Sequence, residues 1–270
     1  MNIYKKIIFV FSIFIAITAA YVGAQIPSDQ QIKGCIKTTM FDIDLCPKNK
    51  NYTPLKNISV YLQRTLILTE DSSFYTHNGF DSEGIEHCIE QMKEKNRIVC
   101  GGSTISQQLS KNMFLSRDKN FIRKGIEALI TIKLEKTLTK REILEKYLNV
   151  VQFGKNIFGA KQAAQFYFKK QPSQLDPIES AFLAMVLPNP EKYSQSYYRK
   201  DLTKFARHRI SKILGDMFKY KSLDEEQYIS SLAKLDSFFQ SGLSEQSEKF
   251  DHEILTDEDL DEMSVDENVN

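Results

Sequence analysis

The chain has 270 residues, enough for one large domain or two small ones with a sizeable core. Its net charge of +1 hides a sharp division, because residues 1–220 carry 33 basic and 20 acidic side chains whereas residues 221–270 carry 3 basic and 15 acidic ones. A body with a net charge of +13, joined to an acidic tail, indicates a polyanionic partner: nucleic acid, an anionic membrane or a phosphate-bearing substrate.

The first element is an apolar segment at the amino terminus. After Lys5 and Lys6, the 18 residues Ile7–Ala24 carry no charge, and as a helix they would span about 27 Å, close to the ~30 Å of a bilayer core. We expect residues 1–24 to form a cytoplasmic stub and transmembrane anchor, because flanking lysines keep the amino end in the cytoplasm. Alternatively, Val22-Gly23-Ala24 resembles a signal-peptide cleavage site. Either reading puts the remainder outside the cytoplasm, which argues against nucleic acid as the partner.

Residues 25–51 are polar and predict an extended stalk. Four cysteines fit a compartment outside the cytoplasm, namely Cys35, Cys46, Cys88 and Cys100. Their spacings do not match a zinc site, so they predict two short-loop disulfides. Three pairings are open, and four reduced core thiols are the alternative.

A helical period begins at Ile58 and continues to about residue 220. The sequence predicts helices over 81–96, 103–114, 123–149 in two pieces, 176–187 and 203–218. No run of alternating strands is evident. We therefore predict an all-α, mainly helical domain over residues 52–220. Residues 221–270 predict a partly disordered acidic tail, with an interaction arm as the alternative.

Two adjacent carboxylates, Glu70 and Asp71, follow the apolar run Leu66-Ile67-Leu68. A carboxylate at the end of a packed element can serve as a general base, because partial desolvation raises its pKa towards working pH. The alternative is a helix-end pair that faces solvent.

A second polar constellation follows Gly101-Gly102. Here Ser103 or Thr104 can cap a helix whose buried stripe is Ile105, Leu109 and Met113. The side chains of Gln107, Gln108 and Lys111 lie largely on another side of that helix. Free N–H groups, hydroxyls, amides and a lysine at a helix start suit an anionic or sugar ligand.

Taken in order, four blocks of sequence resemble the peptidoglycan glycosyltransferase family, which polymerises lipid II, and especially its monofunctional, membrane-anchored members. The resemblance covers roughly residues 55–195. Its blocks are Glu70-Asp71 with Phe74, His77 and Gly79; Gly101–Leu109 with Lys111-Asn112; Arg123-Lys124 with Glu127-Ala128, Leu134-Glu135, Lys140, Glu142–Glu145 and Tyr147–Asn149; and Gly154, Gly159, Ala163-Ala164 and Tyr167-Phe168.

The resemblance implies a lysozyme-like helical fold and an inverting transfer that makes a β-1,4 linkage and releases undecaprenyl diphosphate. Glu70 matches the family's catalytic base, and Glu127 its second glutamate, which assists at the diphosphate directly or through a divalent metal. The positions that match substrate contacts are Ser103, Gln107, Gln108, Lys111, Lys119, Arg123 and Lys124. Asp71 and His77 would be structural, and Glu145 would hold the basic residues in place.

The chemistry of the residues agrees with this assignment. A diphosphate leaving group needs cations rather than a proton donor, whereas a glycosidase needs two carboxyl groups, one of them protonated. Arg123 and Lys124 should keep Glu127 ionised, although a plain helix salt bridge would explain the same spacing.

The resemblance also implies a cofactor, partners and a location. The cofactor would be a divalent cation, Mg²⁺ or Mn²⁺, with no organic cofactor. The partners would be lipid II, the undecaprenyl-diphosphate-linked glycan, penicillin-binding transpeptidases and division or elongation proteins, with no nucleic acid. The chain would be a single-pass protein of the bacterial inner membrane with a periplasmic catalytic domain. A peptidoglycan-cleaving muramidase and an inactive cell-wall scaffold are the alternatives.

Overall fold

A computed structural model describes residues 3–95, 102–118 and 121–239. Its helices are α1 (Ile3–Gln25), α2 (Asp29–Lys33), α3 (Val60–Glu70), α4 (Ser82–Lys95), α5 (Ile105–Phe114), α6 (Phe121–Thr137), α7 (Lys140–Val150), α8 (Gly159–Phe168), α9 (Pro177–Val186), α10 (Pro190–Tyr193), α11 (Gln195–Arg199), α12 (Lys204–Lys219) and α13 (Glu225–Ala233). Short 3-10 turns cover Leu55–Asn57 and Pro172–Gln174. The prediction of a mainly helical protein is confirmed.

The described residues also contain four short strands that the sequence did not predict. Strand β1 (Ile36–Lys37) pairs antiparallel with β2 (Asp44–Leu45), and β3 (Gln152–Gly154) pairs antiparallel with β4 (Ile157–Phe158). Each strand has two or three residues, too few for an alternating pattern to be visible in the sequence.

The core has α9 at its centre, packed against α3 and α12, which also touch each other. All ten residues of α9 are buried, as expected for a helix that is apolar on every side. Asp176 begins this helix with a capping box to Glu179, and proline occupies the first turn.

A second group of helices supports the polar constellation identified in the sequence. Helix α5 packs against both α6 and α7, and Ile105, Leu109 and Met113 on its buried stripe have no solvent exposure. Thr104 and Thr139 begin α5 and α7, each with a capping box. The predicted break between two helices near residue 139 is therefore present.

The amino-terminal helix α1 is exposed along its length. The segment from Ile3 onwards, with a mean hydropathy of 2.4, is long and apolar enough to cross a bilayer by length and composition, a test that a signal sequence also passes.

The segment predicted as an extended stalk is folded onto the body. Ile32 and Leu45 are almost fully buried in the main core. A disulfide joins Cys35 to Cys46, and the backbone N–H of Thr39 donates to the carbonyl of Met113 at 3.0 Å. Ile32 and Leu45 could not be recognised as core residues from the sequence, because residues 25–51 are mostly polar. Cys88 is also disulfide-bonded, while the predicted partner Cys100 lies outside the described residues.

The packed body also continues beyond the boundary predicted at residue 220. Asp224 caps α13, which packs against α9 and α12. The rings of Phe238 and Phe239 lie 5.4 and 5.7 Å from that of Phe182. Apolar burial overrides the local acidic composition here, up to Phe239. The rest of the predicted tail, residues 240–270, lies outside the described part of the chain.

Candidate active site

Glu70 is the last residue of α3, whose inner face is anchored by the fully buried Leu62 and Leu66. Its carboxylate Oε2 accepts a hydrogen bond from Nε2 of Gln108 at 3.0 Å. Burial raises the pKa of the Glu70 carboxyl above its ordinary value of 4.5, while the Gln108 hydrogen bond and the positive charge of Arg209 act in the opposite direction. A carboxylate with a raised pKa is a stronger base than a free glutamate.

A hydrogen bond from Tyr147 fixes the orientation of the Gln108 side chain. The hydroxyl of Tyr147, a fully buried residue on α7, donates to Oε1 of Gln108 at 3.2 Å. Because the amide oxygen is occupied by this donor, the amide NH₂ group points towards Glu70. The aromatic hydroxyl thus positions the amide, and the amide positions the carboxylate.

The loop after Glu70 is tied to the start of α5. One oxygen of Asp71 lies 2.8 Å from Nε2 of His77, and the other accepts from the backbone N–H of Ile105 at 2.9 Å. Nδ1 of His77 accepts from the backbone N–H of Gly79, which assigns the ring proton to Nε2. The carbonyl of Gly79 accepts from the hydroxyl of Thr104 at 2.7 Å. These contacts give Asp71 and His77 a structural function at the base of the site.

A group of cations lies on α5 and α6, and we call Lys111, Arg123 and Lys124 the basic cluster. Glu127 lies beside it with a side chain that is 2% exposed, and its two oxygens accept from Lys124 Nζ at 2.6 Å and Arg123 Nη1 at 3.1 Å. Burial lowers the pKa of Lys111, and the positive charges of Arg123 and Lys124 lower it further against the opposing effect of Glu127. One buried carboxylate thus sits among three cationic side chains.

Glu70 lines a cleft whose edge is reached by Lys124, one member of the basic cluster. A cavity of about 200 Å³ is lined by Glu70 from α3, His87 from α4 and Ser103 from the segment before α5. Nζ of Lys124 lies 3.4 Å from the hydroxyl of Ser103. The cleft therefore has a carboxylate of raised pKa on one side and an ammonium group at its rim, which suits the transfer of a group from an anionic carrier.

Comparison with known proteins agrees with this geometry. A family model described as Transglycosylase matches residues 37–218, more than half of the chain. The chain belongs to the transglycosylase family. The resemblance drawn from the four sequence blocks is confirmed, and the family's lysozyme-like helical fold agrees with the helices described above.

Curated relatives of this transglycosylase carry the name biosynthetic peptidoglycan transglycosylase. The protein of Aromatoleum aromaticum is 49% identical over 146 residues, which is 54% of this chain and 64% of the relative. Those of Dechloromonas aromatica and Alcanivorax borkumensis are both 45% identical, over 54% and 59% of this chain and 64% of each relative. The chain thus spans less than two thirds of the length of these relatives.

Two residues predicted to serve the site have other contacts in this transglycosylase. Gln107 is buried, and its Oε1 accepts from the backbone N–H of Thr104 at 3.0 Å as part of the α5 capping box. Its helical neighbour Gln108 is the glutamine whose amide contacts Glu70. The capping-box spacing of Thr104 and Gln107 was the signal in the sequence that could have separated the two glutamines.

The family resemblance suggested that Glu145 holds the basic cluster in place, but its carboxylate has other partners. Its carboxylate accepts from the hydroxyl of Tyr52 and from the backbone N–H of Leu55 at 2.8 Å. It instead ties α7 to the segment before α3, beside Asn149, which accepts from the backbone N–H of Thr53 at 2.7 Å. Lys119 lies outside the described residues.

Sequence reasoning missed two contributors to the site. Arg209, on α12, acts electrostatically on Glu70 from a position 139 residues later in the chain, and its helix falls beyond the four blocks. Glu135 accepts hydrogen bonds from Ser106 Oγ at 2.5 Å and Lys140 Nζ at 2.7 Å, which joins α5, α6 and α7 below the cleft. Glu135 and Lys140 were visible as family positions but had no assigned role.

The described side chains near the cleft offer few ligands for a divalent metal. Among the described residues, no group of three or more His, Cys, Asp or Glu side chains could hold a metal ion. Both oxygens of Glu127 already accept from cations. A cation bound beside Glu127 would therefore need most of its ligands from the substrate's diphosphate.

Proposed function

We propose that this transglycosylase is a peptidoglycan glycosyltransferase that polymerises lipid II into β-1,4-linked glycan strands and releases undecaprenyl diphosphate. The observation that carries the proposal is the cleft lined by both Glu70 and Ser103, the serine that Lys124 contacts. The names of the relatives, biosynthetic peptidoglycan transglycosylase, support the same substrate class.

Glu70 is the proposed general base. Its carboxylate takes the proton from the 4-hydroxyl of the acceptor sugar while that oxygen attacks the anomeric carbon of the donor. The bond from the anomeric carbon to the diphosphate oxygen breaks, and the electron pair leaves with the diphosphate. Attack from the opposite face inverts the anomeric carbon. Base catalysis of this kind contributes about 10² to 10⁴ in rate.

The basic cluster is the proposed binding site of the departing diphosphate. Fixed cations stabilise the negative charge that develops on the leaving group. The ammonium of Lys124 already reaches the cleft-lining Ser103. Glu127 holds Arg123 and Lys124 in place through its two oxygens. A divalent cation at the diphosphate is part of the proposal, with Glu127 as its protein ligand, but no step above depends on it.

A muramidase on a similar fold is the rival function. A raised pKa at Glu70 would suit a proton donor as well as a base. The groups around Glu70 must therefore distinguish the muramidase from the glycosyltransferase. Asp81, the other cleft carboxylate besides Asp71, has its pKa lowered by hydrogen bonds from Ser73 and the backbone of Gly84. The cations favour synthesis, because the leaving sugar of a cleavage reaction carries no diphosphate.

The location and partners belong to the same proposal. The apolar α1 supports a single-pass anchor in the bacterial inner membrane with the catalytic domain in the periplasm. The disulfide between Cys35 and Cys46 supports an oxidising compartment. Penicillin-binding transpeptidases and division or elongation proteins are the proposed protein partners.

The test is polymerisation of labelled lipid II by the full chain in detergent with divalent cation. We expect glycan polymer from the wild type and almost none from Glu70→Gln, while Glu226→Gln, at an exposed glutamate in the first turn of α13, keeps wild-type activity. Release of soluble muropeptides from sacculi, with no polymer from lipid II, would instead establish the muramidase.

A further inference from the structure

A second concave surface lies at the end of α8 and is not used by the proposed reaction. This cavity, about 400 Å³ in volume, has Lys161, Lys169 and Lys170 in its wall together with the ring of Phe166. Five amide side chains complete its polar lining, namely Asn51, Asn156, Gln162, Gln165 and Gln171. No carboxylate lines it among the described residues. We call it the lysine cavity.

The charges of the lysine cavity are mostly uncompensated. Lys170 pairs with Glu179 at 2.7 Å. Nζ of Lys161 donates to the backbone carbonyl of Lys50 at 2.5 Å, and Nζ of Lys169 lies 6.0 Å from the centre of the Phe166 ring. Within residues 3–95, 102–118 and 121–239, neither Lys161 nor Lys169 forms an ion pair with a carboxylate.

A further ammonium lies beside the cavity. Nζ of Lys200 is buried with no hydrogen-bond partner in the described part of the chain, and it sits 3.9 Å from the centre of the Tyr197 ring. Burial and the neighbouring charge of Lys169 lower the pKa of Lys200. An anion placed between these two lysines would satisfy both.

The last described residue of the chain lies close to this surface. The ring of Phe239, the last described residue, lies 6.1 Å from that of Tyr197, which lies 5.1 Å from that of Phe166. Phe166 lines the lysine cavity, so two ring contacts connect the cavity with the start of the following segment.

The following segment has the complementary charge. Residues 240–270 contain eleven acidic residues and one lysine, and five of the six residues in Asp257–Glu262 are acidic. This run begins 18 residues after Phe239, and a coil of that length has an end-to-end distance of about 24 Å. Attachment at Phe239 therefore gives the acidic run a high local concentration at the cavity.

We propose that the acidic segment, residues 240–270, binds intramolecularly to the lysine cavity, with carboxylates of Asp257–Glu262 facing Lys161, Lys169 and Lys200. The basic cluster of the cleft is the competing cationic surface on the same chain, but its charges are partly compensated by Glu127. The inference does not depend on the proposed reaction.

The first test is zero-length carbodiimide cross-linking of the full chain in detergent, which joins carboxylates to amines in contact. We expect amide links from Asp257–Glu262 to Lys161 or Lys169, lost in about 1 M salt, where the Debye length falls to about 3 Å. Links to Lys111 or Lys124 in their place would overturn the proposal, and so would links spread evenly over exposed lysines. Binding between two copies of the chain is tested with a mixture of isotope-labelled and unlabelled chains. Links that join a labelled to an unlabelled chain would mean that the segment binds a second copy.

The second test measures release of the segment in full-length variants. A dye attached at the carboxyl terminus should lose anisotropy in Lys161→Glu/Lys169→Glu, down to the value that the wild type has in high salt. The matched control Lys136→Glu/Lys204→Glu makes the same charge change at exposed lysines on α6 and α12 and should keep the wild-type anisotropy. Equal anisotropy in both variants would overturn the proposal. Circular dichroism of both variants verifies that the helices are intact.

Discussion

The end of α3 and the first two turns of α6 each present one glutamate near the cleft, and the two environments are opposite. Glu70 meets a neutral amide from Gln108, and its burial raises its pKa. Glu127 is 2% exposed but meets two cations at hydrogen-bond distance. The charge of the neighbours therefore separates the proposed proton acceptor from the glutamate that pairs with two cations, although the residue type is the same.

The two regions also differ in how they are supported. Leu66, one turn before Glu70, is fully buried, whereas α6 starts with Phe121 and Ile122 at 98% and 69% exposure. Glu70 is thus held by the packed core, whereas Arg123 and Lys124 project from a helix start that faces outward. Five substitutions test this contrast.

The largest effect is expected at Glu70. Glu70→Gln keeps the shape of the side chain but removes the base, so kcat for lipid II polymerisation should fall about 10²- to 10⁴-fold. The fold should survive this change. Because the pKa of Glu70 is raised in the folded protein, the protein loses stability as the pH rises through that pKa. The glutamine variant has no ionisable group at this position and does not lose this stability. Its Tm relative to wild type should therefore increase as the pH rises above 4.5; a Tm that drops instead would attribute the lost activity to unfolding.

A smaller effect is expected when Glu127 loses one cation. Lys124→Met removes the partner of Glu127 at 2.6 Å and one cation of the proposed diphosphate site. A charge-assisted hydrogen bond to the diphosphate would be worth about 1.5–3 kcal/mol, so kcat/KM should fall about 10- to 100-fold. Lys136→Met, in the last turn of the same helix, is the control and should be active. Full activity of Lys124→Met would remove this lysine from the diphosphate site.

The pH dependence of activity tests the effect of the neutral Gln108 amide on Glu70. The Gln108 hydrogen bond lowers the pKa of Glu70, so Gln108→Leu should raise that pKa further. The ascending limb of kcat/KM against pH should move to higher pH, with about tenfold less activity at pH values below the limb. Gln30→Leu, at an exposed site on α2, should leave the limb in place. An unmoved limb in Gln108→Leu would mean that another group controls the profile.

The smallest effect concerns the backbone of the two regions. Gly79 has φ +97°, and a Cβ there would lie 2.9 Å from Cγ2 of Thr131, so Gly79→Ala should lower the free energy of unfolding by about 1–3 kcal/mol. Gly125, within α6, has no atom within 4 Å of an added Cβ, so Gly125→Ala should raise it by up to about 1 kcal/mol. Chemical denaturation measures both values, and the same sign in the two variants would contradict the contrast.

Much of the secondary structure and part of the site could be read from the sequence, because their signals are local. The caps at Thr104, Thr139 and Asp176 lie within three residues of their partners, and the buried stripe of α5 repeats every four residues. The neighbours of Glu127 lie three and four residues away on one helix. Such patterns do not depend on where the rest of the chain goes.

Tertiary packing decided the remainder. Gln108 rather than Gln107 meets Glu70, Glu145 turns to Tyr52, and Arg209 acts on Glu70, all across more than 30 residues of sequence. Burial also moved polar segments into the body, through Leu45 on one side and Phe239 on the other. The sequence by itself determined the helices, the family and the pair of glutamates, because short-range hydrogen bonds and periodicity carry that information. The tertiary structure alone assigned their partners, because distance, burial and charge in the folded chain are properties of residues that are remote in sequence.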